Sequence, residues 1–361
     1  MSKQLRSGYT TGTHATAVLV ACVYEFFNGK KLDSLEVVLP KGVVATIDVF
    51  YEDTYRFSTI KVDNDDIDVT KGAKIFCKLQ KETPAKLKNQ TPTLLKIDDF
   101  SLYIWAGDGV GVVTKRGLKI SPNYPAINPT PLNMMEENIQ EFVSKQKDTL
   151  HAVFCIEDGE KIAKDTANAK VGVVGGISIL GTRGIVKPVS ATAYIDSIST
   201  EIDVASAFDE SVIVLTLGNS AFDFAKERYE ETNIVEIGNF VYDSLKQLKK
   251  HSFKRVVFIT SVAKMSKVAQ GFKNTHNKFG SIDFYEVKEW VFDEFDICVE
   301  GDFLTLKGFL ESFDDKYQED FVKLISKKSA LMIKEWSREI GVDIGLVEVI
   351  TLPKDIRYVL Q

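Results

Sequence analysis

The sequence predicts a mixed α/β protein in two parts: an α+β first half and a second half built on a parallel, doubly wound sheet. Three observations carry this. The chain has 361 residues, and domains commonly hold about 100–200. Its second half alternates short β-branched runs with helical stretches, the pattern of parallel strands joined by crossover helices. Its first half instead sets one strongly apolar helix against runs of alternating residues punctuated by turn signals. The character changes between Lys187 and Thr200, so the division is placed at 1–195 and 196–361.

The elements follow in order. His14–Phe27 reads as a helix that is apolar on nearly every face and therefore buried. Thr11 or Thr13 can cap it, and Asn28-Gly29 can end it, because both tolerate left-handed backbone angles. "LEVVLP" and "VVATIDVF" flank Lys41-Gly42 as a hairpin, and "YRFSTIKV" alternates as a third strand. "SLYIWAGDGVGVVTKRG" reads as strand, glycine turn, strand. "PLNMMEENIQEFVSKQ" is helical, "HAVFCIE" a strand, and "DGEKIAKDTA" the opening of a helix. Beyond residue 200 the strands "SVIVLTLG", "NIVEIG" and "RVVFITS" alternate with helices "SAFDFAKERYEE", "NFVYDSLKQLKKHS" and "KMSKVAQGF". One or two late helices over 313–341 and a closing strand "GLVEVITL" complete the chain.

Composition narrows the function. Apolar residues make up 44% and charged residues 27%, ordinary for a soluble globular protein. The net charge of -6 argues against broad nucleic-acid binding but allows a local basic pocket for an anionic small ligand. The four cysteines form no C-x-x-C pair, so they are expected to be reduced thiols of a cytoplasmic protein, with no metal site. The first apolar run is shorter than the roughly 20 residues a membrane span needs, and the polar stretch Gly8–Thr16 before it is unlike a secretory leader, so no membrane role is expected. A homo-oligomer is left open.

Several stretches resemble known motifs and fail on inspection. "VDNDDIDVTKGA" would place Asp68 and Lys74 where a calcium loop needs glycine and glutamate, so Asp63, Asp65, Asp66 and Asp68 read as a solvated acidic turn. "GDGVGVVTKRG" has Val112 at the third glycine of a dinucleotide fingerprint, and no helix follows. Gly176 and Gly181 have the spacing of a phosphate loop, but Thr182-Arg183 replaces the lysine and hydroxyl it requires. Positive candidates remain. Thr10, Thr11 and Thr13 crowd a helix start, where free N–H groups favour an anion or polar ligand, although a single threonine suffices for capping. Lys115, Arg116, Arg183 and Lys187 can meet carboxylates. Gly175-Gly176 follows a strand, and Gly218-Asn219 and Gly238-Asn239 end two successive strands, where open α/β sheets bind ligands. Of the four histidines, His14 and His276 lie in such contexts, but no triad or metal spacing accompanies them.

Taken together, "LRSGYTTGTHATA", "DNDDIDVTKGA", "AGDGVGVVTKRGLKISPNYPAINPTPLNMM", "AKVGVVGGISILGTRGIVKPVS" and "GFKNTHNKFG" resemble, in order and along nearly the whole chain, the cobalt-precorrin-5B C(1)-methyltransferase (CbiD) family. The resemblance implies a CbiD-like pair of domains, α+β followed by Rossmann-like α/β. It implies methyl transfer from S-adenosylmethionine to ring carbon 1 of cobalt-precorrin-5B, a polycarboxylate tetrapyrrole, in anaerobic cobalamin synthesis. On that reading Thr10, Thr11, Thr13, Lys115, Arg116, Arg183 and Lys187 are expected on the substrate. Gly175, Gly176, Gly218, Asn219, Gly238 and Asn239 are expected on S-adenosylmethionine. The chain departs from the family at His14, where cysteine is common, and at Thr260-Ser261 and Val262-Ala263, where the family has Gly-His and Ile-Gly. Lys264 persists and His276 survives, and these two are the candidates for proton handling. The alternative is a member that binds its ligands without turnover.

Overall fold

The computed structural model describes residues 7–61, 68–87, 89–186 and 191–361. It is a mixed α/β protein whose chain forms two compact units, residues 1–190 and 191–361. The second unit opens with a helix, Ala191–Phe208, that no sequence signal marked, and the expected division at 195/196 falls inside it.

The first unit is organised by a six-stranded sheet in the order Phe50–Asp53, Arg56–Ile60, Lys74–Gln80, Thr149–Ile156, Phe100–Ala106, Thr93–Ile97. All neighbours are antiparallel except Thr149–Ile156 with Phe100–Ala106. The helix Thr11–Asn28 lies on this sheet with fourteen of its residues buried, as its composition requires. It ends at Gly29, whose φ of 67° is the left-handed cap anticipated from Asn28-Gly29. The expected cap is corrected: Thr10 is the N-cap and the helix begins at Thr11, before His14. A second helix, Pro129–Val143, packs beside it, and the expected hairpin pairs Ser34–Leu39 with Val43–Asp48. The helix anticipated after Asp158 is only Gly159–Ala163.

The second unit has a five-stranded sheet in the order Ile234–Glu236, Val212–Thr216, Arg255–Ser261, Leu346–Leu352, Ile356–Leu360. The first four strands are parallel and the last is antiparallel. The helix Asn219–Lys226 supplies Ala221 and Ala225 to one face, against Val214, Ile234, Val257 and Ile259. Helices Ala191–Phe208, Val241–Gln247, Val262–Ala269 and Asp315–Ile340 supply the larger core on the other face. The late helical stretch is one helix of 26 residues, capped by the Asp314 carboxylate and ended by Gly341 at φ 68°. Strand order reverses between Val212–Thr216 and Arg255–Ser261. The connection to Ile234–Glu236 leaves on one side and the connection to Arg255–Ser261 returns on the other. At such a reversal the two connections diverge and leave a crevice at the carboxyl ends of the strands.

Candidate functional site

In the first unit, the opening motif and the glycine loop near residue 180 form one interlocked structure. Thr10 Oγ1 accepts the Thr13 N–H at 3.2 Å, and the Thr13 hydroxyl donates to the Gly184 carbonyl at 2.7 Å. The Thr11 hydroxyl donates to the Leu180 carbonyl at 3.1 Å and accepts the Leu180 N–H at 2.9 Å. The Gly12 N–H reaches the same carbonyl at 3.0 Å, and Gly8–Tyr9 pairs with Ile185–Val186 as two short strands. All three threonines are buried. Thr10, Thr11 and Thr13 are expected on the substrate; in the structure their hydroxyls cap the helix and hold the 180–184 loop.

The glycines of "AGDGVG", "DGEK" and "VVGGI" are explained the same way. A Cβ on Gly176 would stand 2.1 Å from the Gly109 carbonyl group, and one on Gly159 would stand 2.1 Å from the Gly109 oxygen. Three backbones therefore meet without side chains, and Gly176–Ile177 pairs in parallel with Gly109–Val110. Gly176, expected on the cofactor, is a close-packing position in the structure. Gly175 differs: it is exposed, its φ is 86°, and nothing lies within 4 Å of the Cβ it lacks.

The basic candidates divide by exposure. Lys115 lays its aliphatic stem over Gly172 and donates to the Lys170 carbonyl at 3.2 Å, so its ammonium already has a place in the fold. Arg116 is exposed. Arg183 is exposed on the loop that Thr11 and Thr13 hold and takes no hydrogen bond or ion pair among the described residues. Lys187 lies outside the described residues, as do Asp63, Asp65 and Asp66.

Sequence reasoning missed a buried polar cluster here. Lys61 is 1% exposed and pairs with Asp68, which also accepts the Thr70 hydroxyl at 2.6 Å. Burial raises the Asp68 carboxyl, but the hydrogen bonds from Lys61 and Thr70 outweigh it and hold it below its ordinary value. Asp68 is therefore no part of a merely solvated turn. His14 is also 1% exposed. The Thr59 hydroxyl donates to the Asp48 carbonyl at 2.8 Å, so the His14 Nδ1–H donates to Thr59 Oγ1 at 3.1 Å and Nε2 is left without a partner. Burial, then Lys61, lowers the imidazole to about 3, so it is neutral at physiological pH.

In the second unit the structure gathers the remaining candidates along the carboxyl ends of the parallel strands. Gly218 follows Val212–Thr216 with φ 109°, and among the described residues other than its chain neighbours, Lys264 Nζ, at 3.7 Å, is the one atom within 4 Å of the Cβ it lacks. Lys264 Nζ and the Thr260 hydroxyl both donate to the Leu217 carbonyl, at 3.3 and 3.1 Å, which ties the two strand ends together at the reversal. Burial, then the neighbouring Lys267, lowers the Lys264 ammonium from its ordinary value. Asn219 is exposed beside Gly218, and Ser261 is exposed at the next strand end. Gly238 has φ 58°, but the Tyr194 hydroxyl occupies the space a Cβ would take, at 3.0 Å, so its freedom serves packing against Tyr194. Asn239 Oδ1 accepts the Thr275 hydroxyl at 2.9 Å and its carbonyl accepts the Thr275 N–H at 3.0 Å. Asn239 thus anchors the segment that carries His276. His276 is exposed, and its Nδ1 accepts the Lys278 N–H at 3.1 Å, so it caps a short turn. Lys267, which the sequence did not single out, is buried and donates to Asn277 Oδ1, the Gly280 carbonyl and the Thr275 carbonyl at 2.8, 2.9 and 3.2 Å. Among the described residues, no group of three or more His, Cys, Asp or Glu is placed to hold a metal ion, and no helix is long and apolar enough to cross a membrane.

The CbiD family model matches residues 1–188. The chain belongs to the CbiD family. Among its relatives is the cobalt-precorrin-5B C(1)-methyltransferase of Thermoanaerobacter sp. (strain X514), 37% identical over 280 residues that cover 76% of this chain and 72% of the relative. The protein of the same name from Thermosipho africanus is 37% identical over 281 residues, 77% of this chain and 74% of the relative. That of Burkholderia thailandensis is 35% identical over 294 residues, 79% and 77%. A crystal structure of cobalamin biosynthesis protein CbiD from Archaeoglobus fulgidus covers 96% of this chain and 87% of its own, at 21% identity and a TM-score of 0.39, a likeness too slight to carry an argument.

Proposed function

We propose that this CbiD protein transfers a methyl group from S-adenosylmethionine to ring carbon 1 of cobalt-precorrin-5B. The observation that carries this is the 37% identity, over 76% of the chain, to a relative bearing that enzymatic name. A member that binds without turnover is not favoured, since the three relatives named above share the one activity.

The second unit suits the methyl donor. Gly218, with a half-buried ammonium 3.7 Å from the Cβ it lacks and an exposed amide beside it, would suit a polar nucleoside with a charged amino-acid tail. S-adenosylmethionine supplies an electrophilic methyl group on a sulfonium. Lys264 would hold the donor's carboxylate, and that contact would favour the ammonium form that burial disfavours. Gly218 and Asn219 would line the donor. The glycine loop held by Thr11 and Thr13 presents Arg183, which with Arg116 would meet carboxylates of the tetrapyrrole. Displacement at a methyl carbon requires no protein nucleophile, so the protein's contribution is alignment and exclusion of water. His276 is exposed where the family motif places it, so a proton-transfer role would begin from a solvated imidazole.

The test is anaerobic turnover of cobalt-precorrin-5B with methyl-labelled S-adenosylmethionine, followed by mass spectrometry. A product carrying one labelled methyl at carbon 1 is expected. Folded protein that yields no labelled product overturns the reading. Arg183→Ala should raise KM for the tetrapyrrole and leave the melting temperature unchanged, because no hydrogen bond or ion pair among the described residues engages its guanidinium.

A further inference from the structure

We infer that Glu236 accepts the ribose hydroxyls of an adenosyl ligand at the end of the strand Ile234–Glu236. The inference rests on the methyl-donor reading above and adds a subsite to it.

Four observations converge on one strand end. Glu236 is the last residue of Ile234–Glu236 and the register partner of Thr216, two residues before Gly218. Neighbouring strands lie about 4.8 Å apart, so the Glu236 backbone is next to the Gly218 turn. Side chains alternate along a strand, so Glu236 leaves the sheet on the face of Ile234, which is the face carrying the helix that begins at Asn219. Its carboxylate is half-buried and takes no hydrogen bond or ion pair among the described residues, although it ends a strand whose other side chains are fully buried. Such a group is costly to desolvate without a donor.

An aromatic pair lies at the same strand end, on the opposite face of the sheet. The Tyr194 hydroxyl donates to the Glu236 carbonyl at 3.3 Å, and its ring meets Phe240 at 5.4 Å between centroids with 34° between planes. Tyr194 remains 42% exposed. Burial, followed by the Glu236 and Glu201 carboxylates, pushes its phenol up. A vicinal diol offers two O–H donors, and a carboxylate offers two oxygens able to accept both. An acid about 20 residues beyond the first strand-end glycine, at the end of the adjacent strand, is where open parallel sheets meet a ribose. Lys264, across Gly218 from this edge, leaves the opposite end of the ligand for a carboxylate.

The test is calorimetric titration of the full chain with S-adenosylhomocysteine and with its 2′-deoxy analogue, for wild type, Glu236→Gln and Glu236→Ala. Wild type should favour the ribose form by about tenfold or more, the value of one hydrogen bond to a charged group. Both variants should bind S-adenosylhomocysteine roughly 10- to 100-fold more weakly and lose the preference, at an unchanged melting temperature. Variants that bind as tightly as wild type, or that weaken while keeping the preference, overturn the subsite and leave the methyl-donor reading standing. Wild type that binds neither S-adenosylhomocysteine nor adenosine overturns both.

Discussion

Acidification should destabilise the first unit through His14. In the unfolded chain the imidazole takes a proton near 6.5, whereas burial first and the Lys61 ammonium second hold it to about 3 in the fold. Between these values the unfolded chain binds the extra proton, so stability is fully present above the unfolded value and falls as pH drops through it. Going from pH 7.5 to pH 5.0 should cost about 2 kcal/mol from His14 alone, and the full descent to pH 3 about 4 kcal/mol. The first figure rests almost entirely on the unfolded value, since pH 5.0 is still well above the folded one. His14→Cys removes the titration and leaves a small apolar-compatible side chain. Its own cavity cost does not depend on pH and cancels when each protein is compared with itself. The assay is urea denaturation at both pH values, following the first unit by Trp105 fluorescence with Trp290 and Trp336 replaced by phenylalanine. Trp105 donates to His151 Nδ1 at 3.1 Å, but His151 titrates in both proteins and drops out of the difference. Wild type should lose about 2 kcal/mol more than His14→Cys. Equal losses in the two proteins would refute the assignment of a neutral buried imidazole.

Three further outcomes follow from the packing. Gly176→Ala places a methyl 2.1 Å from the Gly109 carbonyl group, and because backbone cannot swing aside it should cost about 3 kcal/mol of first-unit stability. Gly175→Ala, which meets open space but keeps a positive φ, should cost only about 1 kcal/mol, and calorimetric melting that ranks the two the other way would be decisive against this packing. Thr13→Val withdraws one of the two donors to the Gly184 carbonyl, leaving the Thr10 N–H at 3.0 Å, and should lower stability by about 1 kcal/mol in urea, with affinity for S-adenosylhomocysteine unchanged. Weaker binding without lost stability would return Thr13 to the ligand. Lys267→Met withdraws three hydrogen bonds from the segment 273–280, so amide exchange there should quicken by about tenfold or more. Unaltered protection would mean that the ammonium does not organise the loop.

The sequence by itself determined the elements whose signal is local. The helix Thr11–Asn28, the hairpin about Lys41-Gly42, and the strands at 212–216, 234–236 and 255–261 each declare themselves by periodicity and caps within a dozen residues. The ordered motifs also determined the family, because a motif set is read along the chain without knowing its contacts. The helix Ala191–Phe208 went unread because its apolar residues lie on both its exposed and its buried sides: Tyr194 and Phe208 are exposed, and the buried Ile198, Ile202, Val204 and Ala205 show only against their partners. The strands Lys74–Gln80 and Thr93–Ile97 alternate with lysines, so their buried face emerges only from the sheet.

What residues do, as opposed to where elements run, was decided by tertiary structure. A threonine hydroxyl is the same group whether it meets a ligand or a carbonyl, and Thr11 and Thr13 meet Leu180 and Gly184 across about 170 residues of sequence. A glycine reads as open space, yet Gly176 is filled by Gly109 while Gly218 is left clear. Glu236 and Lys267 look like ordinary charged residues of a strand and a helix. Only the fold desolvates Lys267 among three acceptors and sets Glu236 beside the Gly218 turn, because hydrogen bonding and burial depend on neighbours in space that the order of residues does not disclose.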